Sequence, residues 1–420
     1  MPASQSKPKN SKRELKRQDI IVSASRQMNE RGATSIKLSA VAKQVGLTRN
    51  SLYYYFKDRM DLVYACYLHA CQATADDLAT ARASHSNSIE CLGAYIDQSL
   101  LGPNAERVAL SDIDILPADN RTEIAAVMAA NTLQLESIIQ DGISRDELRP
   151  VNPTVCAQVI QGMLNWAQLW YRWADLNEET LPNHFRIAAR AIKQVVFTGI
   201  SADPDLRFNC ELQWSQLMPR QVDTFNTESL QQEKRYQLIG AASLLFNRKG
   251  IDATSFEDIA DYLGATKGAV YHYFSDKPAL TKACFLQAFE QYEQIADIAI
   301  SSSSNPLTQL LVVLHLNCQA QMTRTPPLTL QGSTSSLAQE HANRATAIAS
   351  KMHEVRAIAV SKGLHANVEK NIVSLSSGAF FWIPQWYAKH SGIDEQELAD
   401  QICTILCTGI SSRTSRSNSQ

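Results

Sequence analysis

One stretch of this chain occurs twice. Residues 42–62 read AKQVGLTRNSLYYYFKDRMDL and residues 260–280 read ADYLGATKGAVYHYFSDKPAL, aligned without a gap at the offset that separates Gly46 from Gly264. The same offset carries Arg17 onto Arg235, Asn29 onto Asn247 and Gly32 onto Gly250. The back of the unit repeats too: Gly162 matches Gly378, Trp166 matches Trp382, Trp170-Tyr171 matches Trp386-Tyr387, and TGIS at 198–201 returns at 408–411. Such a separation lies far above the ~20–50-residue periods of solenoids and arrays. A whole unit has been duplicated, and the chain does what that unit does, twice. A length of 420 residues suits two or three domains.

Helical periodicity dominates, which predicts an all-α fold. Ile20, Ala24 and Met28 recur at i, i+4, i+8, as do Leu238, Ala242 and Phe246, each set making one apolar helix face. Gly32 and Gly250 stand where a helix C-terminus needs a left-handed residue. Two short helices follow in each half, near 38–45 and 48–56, then near 255–263 and 266–274. Thr254 and Glu257 have capping-box spacing for the second of these pairs, as do Asp394 and Glu397 further on. Asn152-Pro153 opens a longer helix expected to run to about Asp175, with a last helix at about 183–200. VSLSSGAFFWIPQWYAKH and DEQELADQICTILCTGI are the corresponding pair in the second half.

Composition excludes several classes. No apolar run approaches the ~18 residues of a membrane span, and the polar N-terminus has no signal-peptide core. The nine cysteines contain no CxxC pair, which points to buried free thiols in a reducing cytoplasm rather than a metal site or disulfides. The formal net charge of −2 is not that of a globally basic nucleic-acid binder. Locally, Lys7, Lys9, Lys12, Arg13, Lys16 and Arg17 face only Glu14. Such a basic arm either reaches DNA or is a solvated tail.

The second short helix of each pair carries the chemistry. On a helical wheel Leu52, Tyr55 and Phe56 fall inward while Arg49, Asn50, Tyr53 and Tyr54 fall outward. In the second copy Val270, Tyr273 and Phe274 fall inward, and Lys267, Gly268, Tyr271 and His272 outward. Thr48 and Thr266 are placed to N-cap these helices, after turns containing Gly46 and Gly264. Two short helices joined by a glycine-bearing turn describe a helix-turn-helix, whose second helix enters the DNA major groove.

AVAKQVGLTRNSLYYYFKDRMDLV and DIADYLGATKGAVYHYFSDKPALT resemble the TetR family of bacterial transcriptional regulators. The second copy lies closer to the family pattern; the first departs from it at Asn50, Tyr54 and Arg59. The resemblance implies a three-helix DNA-binding domain followed by a larger helical domain that binds a ligand and dimerises. Transferred by position, it places Thr48, Arg49, Asn50, Tyr53 and Tyr54 against DNA in one head. In the other head it places Thr266, Lys267, Tyr271 and His272 there, with Gly268 allowing close backbone approach. Arg59 and Lys277 would hold phosphates, and Lys37 is a further candidate. LNWAQLWYRW is similar to members that govern fatty-acid, steroid and acyl-CoA catabolism, so a small apolar or acyl-CoA-like effector is the implied partner beside double-stranded DNA. No cofactor is implied.

The expected organisation is a basic arm (1–16), a first helix-turn-helix domain (17–64), a first C-terminal helical domain (65–201) and a linker (202–232). A second helix-turn-helix domain (233–282), a second C-terminal domain (283–411) and a tail (412–420) follow. Trp166, Trp170, Trp173, Trp382 and Trp386 form an aromatic stripe, with two readings: helix–helix interface, or ligand-pocket lining. The leading function is a ligand-responsive repressor whose unlike heads read an asymmetric or imperfectly palindromic operator. The halves pair either within one chain or between two. A scaffold or activator in which one head binds DNA is the alternative. An all-α enzyme has no support, since the chain holds no Gly-rich phosphate loop, HExxH or GxSxG.

Overall fold

A computed structural model describes residues 9–172, 183–217, 223, 225–329, 339–366, 369–387 and 392–412. Among these the regular structure is helical. The first unit comprises α1 (Lys9–Arg31), α2 (Leu38–Gln44), α3 (Arg49–Leu52), α4 (Arg59–Ser84), α5 (Ser88–Leu101), α6 (Ala118–Ser144), α7 (Pro153–Ala167) and α8 (His184–Thr198). A short α9 (Trp214–Leu217) lies in the connection. The second unit repeats the order with α10 (Thr227–Lys249), α11 (Phe256–Leu263), α12 (Lys267–Tyr273), α13 (Lys277–Ser302), α14 (Pro306–Met322) and α15 (Gln339–Ser361). It ends with three short pieces, α16 (Ile372–Ser376), α17 (Gly378–Phe381) and α18 (Ile383–Trp386), and α19 (Glu395–Thr408).

The repeated residues have repeated jobs. Gly32 and Gly250 follow α1 and α10 at φ 84° and 91°, and Gly46 and Gly264 make the helix-turn-helix turns at φ 68° and 62°, all backbone conformations that disfavour a Cβ. Arg17 stacks on Phe56 at 5.1 Å and Arg235 on Phe274 at 5.2 Å, pinning each long first helix to its short third helix. The Asn29 side chain donates to Arg107 O and accepts from Ala109 N; Asn247 does the same with Pro327 O and Thr329 N. Each head is thereby fastened to the loop beneath it.

Four local expectations shift. The capping box is Ser255–Asp258, one residue later than Thr254–Glu257, because Thr254 is buried and its hydroxyl donates to Gly250 O. Asp394 caps α19 by accepting from Glu397 N, the one half of the expected box that is formed. The long helix after Asn152 ends at Ala167, and its counterpart in the second half is broken at Ser377 and Trp382. Pro384 removes an amide at the second break, and Gly378 is pressed against α7 at the first. Helix α1 starts at Lys9, so Lys12, Arg13 and Lys16 of the expected arm are helical. Trp173 and residues 413–420 lie outside the described residues.

The halves pack on each other about an approximate two-fold relation. Ile200 N donates to Leu406 O and Ser201 N to Cys407 O; reciprocally, Ile410 N donates to Val196 O and Ser411 N to Phe197 O. The flanks repeat the exchange: Ala366 N to Ile200 O and Ala202 N to Leu364 O on one side, Arg149 N to Ile410 O and Ser412 N to Glu147 O on the other. Reciprocal use of equivalent surfaces marks an isologous interface. Helix α7 crosses α17 with Gly162 against Gly378, where a Cβ on Gly378 would lie 2.7 Å from Met163 Cα. One buried apolar cluster runs from Leu78 through α7, α8 and α17 to Ile410, so both C-terminal bodies share a core. The connection is held too: Cys210 and Trp214 are buried with Ile295, Val312 and Leu316, and Gln319 bonds Trp214 N and Leu212 O.

Candidate nucleic-acid interface

The helix-turn-helix geometry follows from caps and burial. Thr48 Oγ1 accepts from Ser51 N at 3.2 Å and Thr266 Oγ1 from Ala269 N at 3.3 Å, starting α3 and α12. Leu52, Phe56, Val270 and Phe274 are buried, which fixes the rotation of each short helix. The opposite faces are therefore exposed: Thr48, Arg49, Asn50, Tyr53 and Tyr54 in one head, Thr266, Lys267, Gly268, Tyr271 and His272 in the other. Lys37 is exposed at the N-cap of α2.

The two faces differ beyond their residue types. α3 is a single turn continued by tight turns at Tyr53–Tyr55, while α12 keeps seven helical residues. Arg49 reaches Tyr53 Oη at 3.5 Å. Lys267 instead pairs with Glu257 of α11 and lies over the Tyr271 ring at 5.6 Å. That hydrogen bond holds the Lys267 ammonium above its ordinary pKa and the Glu257 carboxyl below its own. Arg13 of α1 stacks on Tyr54 at 4.8 Å, bringing one cation of the basic stretch onto the first head. Neither Glu257 nor Arg13 stood out in its sequence window as a member of the outward face. Glu257 sits ten positions before Lys267, and Arg13 meets Tyr54 only through the tertiary fold.

Arg59 and Lys277 begin α4 and α13 but already serve the protein. Arg59 Nη1 donates to Thr34 O at 2.7 Å, and Lys277 Nζ donates to Asp252 O at 3.0 Å. Burial pushes the Lys277 ammonium down, against the pull of Asp252 and Asp258. The same two loops meet across the molecule, where the Thr34 hydroxyl donates to the Asp252 carboxylate, so equivalent positions of the two heads touch. Asp112, from the first unit, lies against Gly250 of the second.

The tryptophans divide. Trp166 Nε1 donates to Ser374 O at 2.7 Å and Trp382 Nε1 to Leu110 O at 3.4 Å, each across the seam between halves. Two cavities flank that seam, each completed by the other half. One, about 360 Å³, lies among α4–α7 and is closed by Trp382, Gln385 and Trp386; its wall includes Arg107, Asn131, Gln161 and Asn165. The other, about 140 Å³, lies among α13–α17 and is closed by Trp166 and Ile200. Trp170 lines neither of these two and is packed in the shared core. In the first body Arg107 is buried with Asp77 at 2.7 Å; burial still holds the Asp77 carboxyl above its ordinary value, with Arg107 opposing. Among the described residues no three His, Cys, Asp or Glu side chains gather as a metal site, and no helix is long and apolar enough to cross a membrane.

Comparison with known proteins agrees with the doubled geometry. The family described as "Bacterial regulatory proteins, tetR family" matches residues 20–66 and again 238–284. The family "Tetracyclin repressor-like, C-terminal domain" matches residues 90–174. The chain is 36% identical over 70 residues to the HTH-type transcriptional regulator TtgR of Pseudomonas putida, covering 17% of this chain and 33% of that protein. It is 35% identical over 80 residues to the HTH-type transcriptional repressor KstR2 of Mycolicibacterium smegmatis, covering 18% and 39%. The chain thus spans between a third and two-fifths of these relatives' lengths. Among solved structures, AibR in complex with isovaleryl coenzyme A and operator DNA is 19% identical, with 43% of this chain and 96% of that chain covered at a TM-score of 0.34. Two matched heads at one constant offset, each leading into a helical body, make this chain a member of the TetR family in which the whole unit is duplicated within one polypeptide.

Proposed function

We propose that this chain is a sequence-specific DNA-binding transcriptional regulator, acting as an effector-responsive repressor, in which one polypeptide supplies both heads. The observation that carries the reading is the contrast between two kinds of repeated position. Inward residues match in kind, so both heads keep one scaffold. Outward residues differ, Arg49 against Lys267, Asn50 against Gly268 and Tyr54 against His272. Because base-edge contacts specify sequence while phosphate contacts set affinity and register, unlike faces call for unlike half-sites. The reciprocal hydrogen bonds between Val196–Ser201 and Leu406–Ser411 support pairing within the chain. DNA-contacting roles go to Lys37, Thr48, Arg49, Asn50, Tyr53 and Tyr54 in the first head. In the second they go to Thr266, Lys267, Gly268, Tyr271 and His272. Arg59 and Lys277, which brace the heads through Thr34 O and Asp252 O, are assigned phosphate contacts at the starts of α4 and α13.

Effector action follows linkage. A molecule bound better by a conformation whose heads are wrongly spaced releases DNA by that difference in affinity. Both cavities touch the seam between halves, where such a change would register. Of the two implied effector classes, a small apolar molecule and an acyl-CoA, the apolar walls of the second cavity favour the first.

Selection of bound genomic fragments, followed by gel shifts, tests the reading. The recovered operator is expected to have unlike half-sites. Arg49→Ala and Lys267→Ala are each expected to weaken binding and flatten its salt dependence. A double variant that binds as tightly as the parent overturns DNA recognition by these faces, and a perfectly palindromic operator overturns the asymmetric reading.

A further inference from the structure

The cavity of the second body has a chemistry that names its occupant. Its walls are largely aromatic and aliphatic: Phe289, Tyr292, Phe380 and Phe381 with Leu310 and Met352. Among the described residues that line it, none is Asp, Glu, Lys or Arg. At about 140 Å³ it is close to the ~150 Å³ dry cavity that accepts benzene in an engineered protein core. Yet its wall is not wholly apolar. Asn317 is 5% exposed; its Nδ2 donates to Val313 O at 2.8 Å, and its Oδ1 has no partner. The Ser374 hydroxyl is likewise buried and unpaired. His365, 3% exposed, donates Nδ1–H to the carbonyl of Ala366, which makes Nε2 the acceptor nitrogen. Burial keeps that imidazole neutral by pushing its pKa down.

We infer that this cavity binds a compact uncharged aryl alcohol, its ring among the phenylalanines and its hydroxyl donating to Asn317 Oδ1 or His365 Nε2. An acceptor buried without a partner penalises the empty site, and a ligand hydroxyl removes that penalty where a hydrocarbon does not. Among the described wall residues a carboxylate or phosphate meets oxygen and a neutral nitrogen rather than a cation; Arg356, whose charge helps depress His365, is not one of them. The occupant also touches the joint between halves. Trp166, whose indole N–H holds Ser374 O, forms one wall. His365, on another wall, bridges to Ser201.

This inference rests on the effector reading above and deepens it. The test is isothermal titration of the full chain, without DNA, using p-cresol, toluene and p-toluate as shape-matched probes. The parent is expected to bind p-cresol at least tenfold more tightly than toluene, and p-toluate not at all. Asn317→Leu, near in volume, is expected to bring p-cresol down to the level of toluene, and Ser374→Ala to weaken it less. Ala349→Phe, which fills the cavity from α15 while circular dichroism checks the fold, is expected to abolish binding. Equal affinity for toluene and p-cresol, tightest binding of p-toluate, or p-cresol binding unchanged by Ala349→Phe each overturns the assignment. A gel shift on the same samples separates the two claims. A chain that binds DNA but no p-cresol defeats the site; p-cresol that binds without altering DNA affinity upholds the site and defeats the effector reading.

Discussion

Asp112 adopts the left-handed region at φ 56° and sits against the second unit's Gly250, facing the carboxylates of Asp252 and Asp114, with Thr34 bonded to Asp252 and Lys277 to the same loop. Burial, then Asp252 and Asp114, push its carboxyl up to about 7. An acid whose folded pKa is raised helps most while protonated. Its contribution is complete below the unfolded value near ~4 and is lost as pH rises through about 7. Asp112→Asn, which tolerates the same backbone, is therefore expected to raise stability at pH 8 by about 1–2 kcal/mol and change little at pH 4. Urea midpoints at both pH values check this. On the outward face of the second head, Glu257 occupies the Lys267 ammonium. Glu257→Gln is expected to tighten binding and steepen the slope of log K against log salt by about one; an unchanged slope shows that Lys267 meets no phosphate. The outward residues of both heads were legible from helical spacing alone, because burial of Leu52 and Val270 fixes what points away. Asp112 was not legible: beside the local Asp114, its neighbours Gly250 and Asp252 come from the other unit, and no local pattern encodes them.

At the scale of elements, the heads were readable because caps and glycine turns are local signals. Ser255 displaced Thr254 as cap only because tertiary packing buried the threonine. The aromatic helices were harder. A 3.6-residue period runs through both stretches, and nothing in that period marks the stop at Ala167. The breaks in the second half arise where α17 must approach α7 closely enough for Gly378 to meet Gly162. A Cβ on Gly378 would come within 2.8 Å of Gly162 O and Trp166 Cβ. Gly378→Ala is accordingly expected to cost about 1–3 kcal/mol, seen as a lower urea midpoint, and to weaken the seam on which both cavities depend. Trp166 and Trp382 serve both readings of the tryptophan stripe, each bonding across the seam and each walling a cavity, a combination that helical spacing alone leaves open.

At the scale of the molecule, pairing within the chain predicts a single-chain mass in light scattering across the micromolar range; a mass of two chains overturns it. Swapping the first head's outward face for the second's (Arg49→Lys, Asn50→Gly and Tyr54→His) is expected to move operator preference toward a palindrome. Selection of bound fragments reads that change directly. The docked connection through Trp214 has a further consequence. A regulator assembled from separate copies loses its working form as the square of its abundance when expression falls. Under the proposed pairing within one chain, operator occupancy is expected to scale linearly with copy number, even at a handful of molecules per cell.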